Sequence, residues 1–190
     1  MTHLRRITQN IDVQPFRDEV AAVPGTWTAE RGGRRWQRPA TQSIALRGPV
    51  KSMIGPCRRR DLDETSYTAS AQRFMATRAF LEGFAAEQGG ELGRAKILRL
   101  LPGRRGQPRF DHGEYHRFRD RYHLVLRGAD DSGFKSGEEA AEMLEGELWW
   151  LDNKAMQEAY NHGAAERIHL VFDLLPRSRF AQVYGQAAAA

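Results

Sequence analysis

The sequence predicts a mainly β protein, a barrel or sandwich of short strands with a helical layer ahead of it. Three observations lead there. From Leu92 onward, short apolar runs alternate with turns rich in Gly and Asp, the mark of antiparallel β structure rather than of a parallel sheet. Ahead of them lies one long stretch of helical periodicity, residues 70–88. Finally, five of the six histidines fall between Arg109 and Asp173, and two Arg-x-His pairs, Arg121-Tyr122-His123 and Arg167-Ile168-His169, each open an apolar run. Polar side chains recurring at strand starts place a site inside a barrel whose walls the apolar alternates pack.

Residues 15–23 read as a short helix, with Pro15 near its start and Pro24-Gly25 ending it. An Arg- and Gly-rich loop follows over 31–38. Residues 41–47 alternate polar and apolar and read as a strand closed by Gly48-Pro49; 48–66 carry no period and read as loop. In the long helix Phe74, Leu81 and Phe84 share one face, as do Ala76, Phe80 and Phe84, and Gly89-Gly90 stops it. An aromatic stripe of this kind is core rather than ligand site. Strands are expected at 92–101, 122–127, 133–136, 140–144, 147–151 and 167–175, with turns at 128–133 and 145–146 and a frayed tail at 186–190.

The chain has 190 residues, 41% hydrophobic and 28% charged, with a mean hydropathy of -0.63. That suits one domain with a packed core and a hydrated surface. No apolar run approaches the ~20 residues of a membrane span, and MTHLRRITQN lacks the apolar segment of a secretory signal. The single cysteine, Cys57, forbids an internal disulfide and fits a reducing cytoplasm. Three arginines follow it, which would favour a thiolate, but no histidine lies near it in sequence to make a nucleophile pair. The net charge is +5. Its arginines are spread among nearly as many acids, which argues against a nucleic-acid face.

Four blocks, in order, resemble the aspartyl/asparaginyl β-hydroxylase family in its small bacterial form: GRAKILRLLPG from Gly93, DRYHLVL from Asp120, GELWWLDNK from Gly146 and ERIHLVFD from Glu166. Weaker echoes lie at Trp27 and over 42–47. The resemblance implies a double-stranded β-helix, the jelly-roll or cupin-type barrel. It would be a single domain over 1–190, with a helical part over about 1–90 and a barrel core over about 92–176. It also implies iron(II) and 2-oxoglutarate, with oxygen inserted into a C–H bond of an amino-acid residue or free amino acid. Such enzymes hold iron on one face with two histidines, often joined by a carboxylate. An arginine pairs with the far carboxylate of 2-oxoglutarate. Arg167 stands where the family places that arginine. Arg121 and His123 stand where a second basic pair faces cosubstrate or substrate, and Asp152-Asn153 lead into the second ligand position.

The implied iron ligands do not carry over. Held in register on Gly113 and Tyr115, the pattern His-x-Asp-x-Gly-x-Tyr reads here Arg109-Phe110-Asp111-His112-Gly113-Glu114-Tyr115. The second histidine, ten residues before Arg167, is Gln157. The metal position would then be Arg109, Asp111 and Gln157. A guanidinium repels a divalent cation, and a glutamine carbonyl serves iron far less well than imidazole. Two ligands lost together argue for lost or altered chemistry, with Asp111 and His123 as the residual catalytic candidates. Two other readings stand beside this one. His112, Glu114 and His162 could supply a shifted iron set, His112 lying eleven residues before His123. Alternatively, Arg109, Arg121 and Arg167, flanked by His123, Trp149 and Trp150, could hold an anionic small molecule or peptide carboxylate without metal.

Overall fold

Residues 2–30, 40–50 and 64–185 are described by the structure, a computed structural model. Cys57, the 31–38 loop, most of the 48–66 loop and the 186–190 tail lie outside them. In chain order the elements are β1 (Leu4–Thr8), α1 (Gln14–Ala21), β2 (Thr28–Ala29), β3 (Thr41–Pro49), β4 (Thr65–Tyr67), α2 (Met75–Glu87), β5 (Glu91–Leu100) and β6 (Arg104–Arg105). There follow α3 (Glu114–Phe118), β7 (Asp120–Arg127), β8 (Ser132–Ser136), β9 (Glu139–Ala141), β10 (Leu148–Leu151), β11 (Gln157–Asn161), β12 (Arg167–Leu175) and α4 (Phe180–Tyr184).

Two antiparallel sheets face each other. The larger has the order β1-β10-β7-β12-β5-β3-β2, with β4 added on β3; the smaller runs β6-β11-β8-β9. All nine residues of β12 are buried, because both faces of the large sheet are covered. Its outer face carries Ile44, Leu46, Ile97, Tyr122, Leu124, Leu170 and Phe172, packed under Phe16, Phe80 and Phe84 of the two helices. Strand alternation sends the intervening residues inward. At one end of that inner face Leu4, Val125, Phe134, Met143 and Leu151 make a second apolar cluster. The rest of the inner face sets polar and charged side chains among apolar ones, and that is where the site lies. This is the double-stranded β-helix expected from the blocks above.

The N-terminal third is less purely helical than expected. Besides α1 and α2 it contributes β1 to one edge of the large sheet and β2–β4 to the other. The long helix expected over 70–88 is interrupted: a 3₁₀ turn, Ala69–Arg73, ends at Phe74, whose backbone (φ -123°, ψ 60°) is not helical. Phe74 is turned wholly into the core. The orphan N–H groups that begin α2 are met from outside the helix: Glu19 of α1 accepts from the backbone N–H of Ala76 (2.6 Å) and Thr77 (3.1 Å) and from the Thr77 hydroxyl (2.7 Å). β11 escaped sequence reading because its buried end positions are Gln157 and Asn161, which break the apolar alternation of a strand.

Candidate functional site

The inner face of the large sheet presents the site as rungs across neighbouring strands. The first pairs Arg121 of β7 with Asp173 of β12. Next come His123, Val171, Lys96 of β5 and Ala45 of β3. Then follow Val125, His169, Leu98 and Ser43, and last Arg167, Leu100 and Thr41. Across the barrel, Arg109 and Gln157 form a two-way backbone bridge (2.9 and 2.7 Å), and the Asp111 N–H donates to the Asn153 carbonyl (2.9 Å). Arg109, Asp111 and Gln157 thus reach the site together, as the family register implies.

Arg121 is the electrostatic centre. Its Nε and Nη2 donate to the two oxygens of Asp173 (2.8 and 3.2 Å), and its Nη1 donates to Asp111. Burial alone would lower the guanidinium's pKa, but the two carboxylates more than offset this and raise it. Reciprocally, burial would raise the Asp173 carboxyl, and Arg121 holds it below its usual range. The Tyr115 hydroxyl lies against Asp173 and accepts the Arg94 backbone N–H (2.6 Å), while the Arg94 and Arg119 guanidiniums lie 3.8 and 4.3 Å from the Tyr115 ring. His116 stands 4.0 Å from Asp111. Burial, reinforced by Arg121, pulls its pKa down to about 4, so its imidazole is neutral at pH 7.

The deep end is different in kind. Arg167 is 4% exposed, yet among the described residues its Nε has no hydrogen-bond partner and its Nη2 meets only the Met143 sulfur at 3.8 Å. Burial pulls its pKa to about 10, which still leaves it charged at pH 7. Beside it the Nδ1 atoms of His169 and His123 lie 3.4 Å apart. Burial first, then the Arg167 charge, holds both imidazoles well below their ordinary pKa, hence neutral. Among the described residues, buried His169 Nε2 and Gln157 Nε2 are also without partners. An unmet guanidinium, imidazole nitrogen and amide facing one space are what an anionic ligand would satisfy.

That space has two arms. The outer chamber, about 480 Å³, is lined among others by Glu30, Arg47, Asp111, His116 and Asp173. The inner arm, about 30 Å³, touches His123, Gln157, Arg167 and His169; its size is that of a carboxylate head group or a water or two. Lys96, Arg109, Arg121 and Val171 line both. Trp149 and Trp150 line neither: Trp149 packs in the inner apolar cluster and Trp150 against the outer one. At the junction the Lys96 ammonium pairs with Glu30. Burial would raise the Glu30 carboxyl, and Lys96 beside it holds it low; burial likewise lowers Lys96 in spite of Glu30.

The donor set does not fit iron. Of the three residues at the ligand positions, Arg109 is cationic, Gln157 offers at best a carbonyl, and Asp111 is already bound to a guanidinium. The shifted set does not assemble either. His112, Glu114 and His162 are exposed. His112 rests on Phe110, Glu114 lies 3.7 Å from Arg117, and His162 stacks on Tyr160 beside Asp131. Among the described residues no three His, Cys, Asp or Glu side chains come together as a metal set. An anionic cosubstrate does fit, through Arg167. Sequence reading passed over Asp173, Lys96, Glu30, His116 and Tyr115. Two of these left a signal: Lys96 and Asp173 are charged residues each flanked on both sides by apolar neighbours within β5 and β12.

Solved structures share this fold. An oxidoreductase of the 2OG-Fe(II) oxygenase family from Burkholderia pseudomallei superposes with a TM-score of 0.59 at 14% identity, over 84% of this chain and 76% of that one. A prolyl hydroxylase from Trichoplax adhaerens, in complex with a hypoxia inducible factor oxygen degradation domain peptide, gives 0.60 at 8% identity, over 95% and 86%. The viral collagen prolyl hydroxylase of Paramecium Bursaria Chlorella virus-1, in its 2OG complex, gives 0.52 at 10% identity, over 91% and 96%. By sequence, no curated protein matches the chain. The family model described as aspartyl/asparaginyl beta-hydroxylase matches residues 57–176, and the chain belongs to that family.

Proposed function

We propose that this member of the family uses its barrel to hold a 2-oxo acid or related dicarboxylate on protein cations alone, without iron, and that the hydroxylase chemistry of its relatives has been given up or altered. One observation carries the reading: Arg167 is buried, and among the described residues its guanidinium has no oxygen partner. A guanidinium left in this state costs stability, and a ligand carboxylate in the inner arm would satisfy it through parallel hydrogen bonds. Arg109, which lines both arms, supplies a second cation where the family register places an iron ligand. The outer chamber has room for the remainder of a small acid, or for the carboxylate of an amino acid or peptide. The single cysteine suits a cytoplasmic setting. No helix of the described residues is long and apolar enough to cross a membrane.

Calorimetric titration of 2-oxoglutarate in the presence of a chelator tests the reading. Binding is expected without metal, weakened at least tenfold in Arg167→Met, since removing one partner of a buried charge pair costs about 2–5 kcal/mol. Anaerobic titration with iron(II) and 2-oxoglutarate should give no metal-to-ligand absorption band. A clear band, or binding that requires iron, refutes it.

A further inference from the structure

We propose that Lys96 is a covalent site: its amine condenses with the ketone of a 2-oxo acid held in the barrel to form an imine, with Glu30 as the proton acceptor. The inference rests on the reading above for the carboxylate anchor, and adds a bond to it.

The placement carries the argument. Lys96 lies on β5 two rungs from Arg167 along the inner face, with Leu98 and Leu100 opposite His169 and Arg167. Four residues of strand separate the two backbone positions by about 13 Å. The two extended side chains and a five-carbon acid span that gap. A ligand with one carboxylate on Arg167 therefore carries its opposite end, ketone included, toward the junction that Lys96 and Arg109 share. The side chain is about one-third exposed and lines both arms of the cavity. Its chemistry is also the unusual one here, for the chain has 29 Lys and Arg residues and only four are lysines. A surface cation could as well be arginine, but an amine that must lose its proton and attack carbon could not.

Lysine becomes nucleophilic when burial and neighbouring cations disfavour its charged form. Burial acts on Lys96 in that direction, opposed by Glu30 and aided by Arg121 and Arg109. Glu30 is already hydrogen-bonded to the ammonium, so the proton has a place to go without solvent. In the step, the ammonium passes one proton to Glu30 and the amine attacks the ketone carbon. The carbonyl oxygen leaves as water, taking up the proton held by Glu30 and the second amine proton. A C=N bond replaces a C=O bond, with no change of oxidation level.

Borohydride reduction of the full-length protein with 2-oxoglutarate, followed by mass spectrometry, tests this. The expected product is one adduct per chain, heavier by 2-oxoglutarate less one oxygen atom. Trypsin does not cut at an alkylated lysine, so the label should appear on residues 95–99. Lys96→Arg keeps the charge beside Glu30, so it should bind 2-oxoglutarate by calorimetry yet take no label. Glutarate, which lacks the ketone, should compete for binding and never be trapped. Labelling of Lys135 or Lys154, or equal labelling of Lys96→Arg, overturns the proposal. Calorimetric binding with no trapped adduct also overturns it and leaves the iron-free binding reading in place. Absence of binding altogether removes both.

Discussion

Two arginines on the same inner face should respond oppositely to the same substitution. Arg121 is held by Asp173, whose side chain is 2% exposed, and by Asp111. Arg121→Met strands a buried carboxylate, and breaking a buried pair in this way costs about 3–5 kcal/mol. For a domain of this length that is a fall in Tm of about 6–20 °C, at about 2–4 °C per kcal/mol. Arg167, by contrast, has no oxygen partner to strand. Arg167→Met removes an unmet buried charge and fills the same space with a flexible apolar chain, so ligand-free stability should stay level or rise by about 1–3 kcal/mol. The assay is urea denaturation followed by circular dichroism, with and without 2-oxoglutarate. At a concentration 100 times the parent Kd the ligand should add about 2.7 kcal/mol to the parent protein and no more than about 1.4 kcal/mol to Arg167→Met, whose binding is at least tenfold weaker. A loss for Arg167→Met as large as that for Arg121→Met would refute the reasoning, because it would mean the Arg167 charge is already satisfied by the fold.

Three further outcomes are expected. Stability should fall as pH drops below about 6.5, since the buried, neutral His123 and His169 resist protonation that the unfolded chain accepts. Asp173 does not contribute in that window: its depressed pKa supplies stability present above the ordinary 3.8 and lost only as pH falls further, through the folded value. Urea midpoints measured from pH 7.5 to 5 check both, and a flat profile contradicts them. Gly93→Ala would drive a methyl into the Tyr115 hydroxyl and to 3.2 Å from the Asp173 Cβ, and should cost about 1–3 kcal/mol as overpacking, read as a lowered urea midpoint. The double variant Arg109→His with Gln157→His places two imidazoles on a bridged pair beside Asp111 and should gain at least tenfold in cobalt(II) or iron(II) affinity, measured by titration under nitrogen.

Much of the barrel was legible in the sequence, because its middle strands obey simple rules. β12 was read to its residue bounds, and β5, β7 and β10 to within two residues, since each is an apolar run closed by recognisable turns. β1, β2, β4, β6 and β11 were missed. β1 is an edge strand with one buried residue, β2 and β6 have two residues each, β4 has three and none buried, and β11 buries polar side chains. The site was half legible. Arg109, Asp111, Gln157, Arg121, His123 and Arg167 were found in register, and the structure brings them to one cavity. The pairing was not legible. Nothing local says that Asp111 and Asp173, sixty residues apart, share one guanidinium. Nor does anything local bring Glu30, in a short N-terminal strand's wake, to Lys96.

The strand at the middle of the large sheet is the last one in the described chain. β12 lies between β7 and β5, which have no ladder with each other. Until residues 167–175 emerge during synthesis, the sheet is two unjoined halves with facing raw edges. Those edges are ten and eight residues long with unpaired backbone groups, which is the profile of a strand-capture hazard. Completion must therefore be a late event, governed by pairings of long sequence separation. The strand that carries Arg167 also closes the sheet, so a chain cut short before it would lose the barrel and the Arg167 pocket in one stroke.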